Sequence, residues 1–127
     1  MDNILTSEII GAAIEVHKEL GPGLLESAYE ECLCHELGLR GIKFKRQLSV
    51  PVSYKGILLD CGYRLDVLVE DLIVVELKAC DGIAHIHRAQ LLTYLRLLDK
   101  PLGLILNFQV SVLKDGIARI ANEYGKR

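Results

Sequence analysis

The sequence predicts an α/β fold with its elements in the order α-α-β-β-β-α-β-β. Three observations carry that expectation. Apolar residues recur at helical spacing between Thr6 and Leu39. The pattern then changes to alternation from Arg46 onward. Finally, two short apolar runs, 73–79 and 102–108, bracket an amphipathic segment.

The first helix is expected over residues 6–20, where Ile9, Ile10, Ala13, Ile14, Val16 and Leu20 fall on helical spacing. Thr6 or Ser7 is its candidate N-cap. Gly21-Pro22-Gly23 stops it. A second helix over 24–39 would bury Leu25, Ala28, Tyr29, Cys32, Leu33 and Leu37, and Gly38 or Gly41 would end it. From Arg46 to Tyr54 alternate positions are mostly apolar, which describes a half-buried strand. Pro51 cannot donate to a ladder, so that strand belongs at an edge. A tight turn at Tyr54-Lys55-Gly56-Ile57 leads to a second strand over 58–69, bent at Gly62. A third strand occupies 73–79, a third helix 84–98, and a fully apolar, central strand 102–108. A turn at Asp115-Gly116 precedes the last strand.

A chain of 127 residues fits one domain, 1–127, able to bury a real core. Half its residues are apolar and the formal net charge is −2, so it lacks the basic footprint common in obligate nucleic-acid binders. Cys32, Cys34, Cys61 and Cys80 form no C-x-x-C pair and no zinc spacing, and His85, His87 and Cys80 fit no common zinc site. No signal peptide and no apolar stretch long enough to span a membrane is evident. The expectation is a reduced, cytoplasmic protein with no membrane partner.

The third strand, "VVELKACDG", carries Glu76 and Lys78 among apolar neighbours. Burying an unpaired charge costs several kcal/mol, roughly. Alternation puts Glu76 and Lys78 on one face, as a structural ion pair or as part of a site. Asp66 lies in the preceding strand, also between apolar residues. A two-residue turn at Glu70-Asp71 would set Asp66 opposite Val75. An odd loop or a bulge would set it opposite Glu76. In the second case Asp66, Glu76 and Lys78 share a face, and two carboxylates with the Leu77 backbone carbonyl suit a hard cation such as Mg²⁺. Lys78 could then position water or stabilise developing charge. In the next helix, His87, Gln90 and Tyr94 fall on one face. Glu26 sits near the start of the second helix, with Tyr29 three residues on as a core residue. Lys43, Lys45, Arg46 and Lys55 are a solvated rim or a phosphate-backbone track. Arg64 holds a phosphate or pairs with a carboxylate.

"GLLESAY", Gly23 to Tyr29, carries a G-x-x-E-x-x-Y signature, and "QLLTY" a Q-x-x-x-Y helix. With Asp66 and the E-x-K of Glu76 and Lys78, the chain resembles the GxxExxY family of the PD-(D/E)XK nuclease superfamily. Within it, the lambda-exonuclease and RecB-type branch looks most similar. The resemblance covers nearly the whole chain. It implies a restriction-endonuclease-like mixed β-sheet flanked by helices. It implies a DNA-cutting, Mg²⁺- or Mn²⁺-dependent enzyme with Asp66, Glu76, the Leu77 carbonyl and Glu26 at the metal. Lys78, Gln90 and Tyr94 would complete the catalytic set. Leu65 stands where the superfamily's proline would precede Asp66. The alternative is a module that keeps the fold and binds nucleic acid or protein without cutting. A homo-oligomer or a protein partner is compatible with either reading.

Overall fold

The computed structural model describes residues 3–123. Helices α1 (Asn3–Leu20) and α2 (Glu26–Leu39) come first, followed by strands β1 (Phe44–Ser49), β2 (Val52–Tyr54), β3 (Ile57–Leu59), β4 (Arg64–Val69) and β5 (Ile73–Lys78). Helix α3 (His85–Leu98), strand β6 (Leu102–Asn107), a single 3₁₀ turn (Leu113–Gly116) and strand β7 (Ile117–Ala121) complete it. The fold is α/β, with a five-stranded mixed sheet in the order β1-β4-β5-β6-β7. Among the described residues only β5 and β6 run parallel, and α3 joins them.

Helices lie on both faces of this sheet, and the side-chain alternation of the strands explains how. Val67, Val69, Ile73, Val75 and Leu77 pack with Ile9, Ala13, Tyr29 and Leu33 of α1 and α2. Leu68, Val74 and Ile105 point the other way, onto Leu91, Tyr94 and Leu95 of α3. Strands β5 and β6 are therefore apolar on both sides, as a parallel pair covered by helices must be.

Several expectations are corrected. The two long strands of the sequence reading each break in two, giving seven strands among the described residues instead of five. The first breaks at Val50-Pro51 and the second between Asp60 and Tyr63. The outer halves, β2 and β3, pair as a separate hairpin whose turn uses left-handed backbone at Lys55 and Gly56. Strand β1 is the edge strand that Pro51 suggested. The apolar strand β6 lies inside the sheet, one place from the edge strand β7. Helix α1 starts at Asn3, so Thr6 is inside it: buried, with its hydroxyl unbonded. Leu25 is not core; it is 76% exposed and is the N-cap residue of α2. Gly41 does end α2. The amides of Gly41 and Ile42 return to the carbonyls of Gly38 and Leu37, a Schellman closure that needs the left-handed φ of +73° at Gly41.

Among the described residues, no helix is long and apolar enough to cross a membrane.

Candidate active site

The site is built where β4 and β5 part. Their antiparallel ladder pairs Val69 with Ile73, Leu68 with Val74 and Val67 with Val75, and goes no further. Three residues, Glu70 to Leu72, make the loop, so the odd register holds and Asp66 falls opposite Glu76. Left-handed backbone at Glu70 and Asp71 curls this loop. Two bonds to Lys43, the residue just before β1, hold it there: the Glu70 amide donates to the Lys43 carbonyl (2.9 Å), and the Lys43 amide donates to the Glu70 carboxylate (2.9 Å).

Beyond Val67 the strand changes face. Leu65 packs with the α3 layer, although Val67, two residues on, packs with the α1/α2 layer. The carboxylates fill the gap. The Asp66 amide donates to Glu76 Oε2 at 2.8 Å, and the Leu77 amide donates to Asp66 Oδ2 at 2.8 Å. Each acid thus stands in for a missing ladder partner and satisfies a backbone donor that would otherwise be orphaned.

The electrostatics are strained. Glu76 is 6% exposed. Burial, and then the neighbouring charge of Asp66, push its pKa up to about 8. Burial also raises Asp66, against the opposing bonds from Leu77 and Gln47 and the charge of Lys78. Lys78, at the end of β5, lowers both carboxylates electrostatically. Glu26 opens α2, is exposed, and lies near enough for its charge to raise Asp66. Tyr94 is buried, its ring edge set against Tyr63 at 6.3 Å, and burial followed by the charge of Glu76 raises its pKa.

The structure therefore brings Asp66, Glu76 and Lys78 to one place, with Glu26 and Tyr94 around it. It does not bring all the predicted residues to contact. Gln90 is exposed, one turn before Tyr94. His87 caps its own helix, its Nδ1 accepting the Ala84 amide at 3.0 Å. Arg64 donates to the Gln47 carbonyl at 3.2 Å rather than to a carboxylate. Tyr29 is a core residue, stacked on Phe108 at 4.4 Å, its hydroxyl donating to the Gly21 carbonyl (2.6 Å) and accepting the Leu24 amide. Among the described residues, no three His, Cys, Asp or Glu side chains converge into a preformed cage.

A sequence profile described as the PD-(D/E)XK nuclease superfamily matches residues 3–120. The chain belongs to that superfamily. A solved structure described as the crystal structure of SSO0001 shares the fold, with a TM-score of 0.54 at 20% identity. The match covers 76% of this chain and 49% of SSO0001, so the chain spans about half the length of that relative. No curated protein matches.

Three residues at the candidate site escaped the sequence reading. Glu30, one turn after Glu26, is 7% exposed. It accepts from Arg46 Nε at 3.0 Å and from Gln47 Nε2 at 3.0 Å. Gln47 also reaches Asp66 Oδ1 at 3.4 Å. The E-x-x-x-E spacing of Glu26 and Glu30, which puts both on one helix face, was the available signal. Asn107 is the third. Buried at the end of β6, it ties down the turn after Lys78, donating to the Cys80 carbonyl (2.9 Å) and accepting the Cys80 amide (3.2 Å). A lone amide in an otherwise apolar strand was its signal.

Proposed function

We propose that the chain is a metal-dependent nuclease that hydrolyses phosphodiester bonds in DNA, of the GxxExxY kind within the lambda-exonuclease and RecB-like branch. One observation carries this reading: half-buried Asp66 and buried Glu76, opposed across β4 and β5, with Lys78 two residues beyond Glu76 on the same strand.

The donor chemistry fits Mg²⁺ or Mn²⁺. Each carboxylate commits one oxygen to a backbone amide. Glu76 Oε1 remains as a hard donor, and Asp66 Oδ1, which accepts from Gln47 at 3.4 Å, keeps a lone pair for the ion. A strand residue directs its N–H and C=O to the same side, so the Leu77 carbonyl, whose amide is bound to Asp66, opens toward them. Glu26 supplies a further carboxylate, directly or through water. A bound divalent ion would neutralise phosphate charge and make water a better nucleophile. Lys78 orients the attacking water and stabilises charge on the phosphoryl oxygens. Tyr94 and Gln90 on α3 support the phosphate side. The second reading, a non-catalytic binding module, draws on the net charge of −2 and the absence of a converged three-ligand cage among the described residues.

The test is cleavage of single-stranded, linear duplex and circular DNA, and of RNA, with Mg²⁺ and with Mn²⁺, Lys78→Ala beside wild type. Nuclease action predicts cleavage that falls about 100-fold or more in the variant. No cleavage by folded wild type with either metal, or cleavage undiminished in Lys78→Ala, overturns it in favour of the binding module.

A further inference from the structure

Gln47 stands in the interior of β1 with φ +50°, a left-handed conformation that a residue with a Cβ rarely adopts inside a strand. Strain of this kind persists only where surrounding contacts impose it, and it concentrates at functional sites. The contacts are visible. The Gln47 carbonyl accepts from Arg64 Nη1 at 3.2 Å. Its side-chain Nε2 donates to Glu30 Oε1 at 3.0 Å and lies 3.4 Å from Asp66 Oδ1.

The left-handed turn has a geometric result. Neighbouring strand residues normally point to opposite faces. Here Arg46 and Gln47 both reach Glu30, Arg46 through Nε at 3.0 Å and Nη2 at 2.9 Å. The β1–β4 ladder correspondingly skips the Gln47–Asp66 pair while keeping register on either side. Asp66 is then held at both oxygens, Oδ1 by Gln47 and Oδ2 by the Leu77 amide. Glu30, in turn, is anchored by Arg46 and buried in α2.

We infer that Gln47 is a positioning residue: its amide ties Asp66 to the buried Glu30 and thereby sets the affinity of the Asp66–Glu76 pair for a divalent cation. This rests on the metal-dependent reading above. A partner that orients a ligand carboxylate contributes about 10- to 100-fold in metal affinity. A mere structural brace would contribute to stability instead.

Glycine separates the two roles, because it accepts the left-handed backbone freely while removing the amide. Asparagine in the same place also tolerates that backbone but is one methylene too short to bridge. The experiment is Mn²⁺ binding by calorimetry, with melting temperature in EDTA, for wild type, Gln47→Gly and Gln47→Asn. The expected result is a Kd for Mn²⁺ weakened about 10- to 100-fold in both variants, with the Gln47→Gly melting temperature in EDTA unchanged or raised. Wild-type affinity in both variants overturns the inference and leaves the metal site standing. A wild type that binds no Mn²⁺ overturns the metal site itself, and this inference with it.

Discussion

Glu76→Gln offers the most demanding test of the electrostatics at the site. The glutamine keeps the size of the side chain and an oxygen to accept the Asp66 amide, but it cannot ionise. In the metal-free protein the Glu76 pKa rises from its ordinary 4.5 to about 8, chiefly through burial. Between these values the unfolded chain has released the proton and the folded chain still holds it. The folded state then binds more protons, so stability falls as pH rises across the window. It is fully present below about pH 4.5 and lost once pH passes 8. At 1.36 kcal/mol per unit, this displacement corresponds to at most about 5 kcal/mol. Asp66, also raised by burial, adds in the same direction. Urea unfolding of wild type and Glu76→Gln in EDTA at pH 5, 6.5 and 8 isolates the effect of the Asp66–Glu76 pair, because titrations remote from it cancel in the difference. The variant should gain on wild type steadily with pH and be the more stable protein at pH 8. Adding Mn²⁺ at pH 8 should raise wild-type stability by mass action and leave Glu76→Gln nearly unmoved. A difference that stays flat with pH would refute the buried, charge-repelled carboxylate. A wild-type lead that grows with pH would refute it equally.

Two further substitutions separate structure from site. Tyr29→Phe keeps the ring on Phe108 but deletes the hydroxyl that closes the loop onto Gly21 and Leu24. It should cost about 1–2 kcal/mol in urea unfolding and leave Mn²⁺ binding unchanged. Asn107→Ala removes both side-chain partners of Cys80, so the turn beyond Lys78 should loosen. Unfolding should show a loss of about 2–3 kcal/mol, and hydrogen exchange at the Cys80 amide should accelerate.

Much of the fold was legible because burial repeats along the chain. The helices α2 and α3 and the strands β5 and β6 lie within two residues of where apolar spacing places them. What escaped was decided by contacts between distant segments. The alternation from Arg46 to Tyr54 reads as one strand, yet the β1–β4 register runs out with the Val50 amide on the Tyr63 carbonyl (2.8 Å), and at Pro51, which has no N–H to donate, the chain divides. The β2–β3 hairpin that results leaves Tyr54, Ile57 and Leu58 more than half exposed, so alternation beyond Val50 does not report burial. The N-cap expected at Thr6 failed for a related reason. A Thr followed by apolar spacing resembles a helix start, but α1 begins a turn earlier and buries Thr6 against the core.

The site shows where such reading stops. The acidic residues were identifiable one by one, because a carboxylate between β-branched and aliphatic neighbours is costly wherever it is buried. Their assembly depended on parity. An even loop between β4 and β5 would have sent Asp66 and Glu76 to opposite faces, and nothing between Val69 and Ile73 forbids one. Glu70 and Asp71 are poor left-handed residues compared with glycine. They adopt that backbone here because Glu70 is bonded to Lys43 through both its amide and its carboxylate. The register that opposes the two acids is thus braced by Lys43, which leads into strand β1 far earlier in the chain. The same strand supplies Gln47, which reaches Asp66 through its own left-handed turn. Strand β1 and the residue before it carry none of the superfamily's acidic or lysine motif residues, yet both the facing and the orientation of Asp66 pass through them.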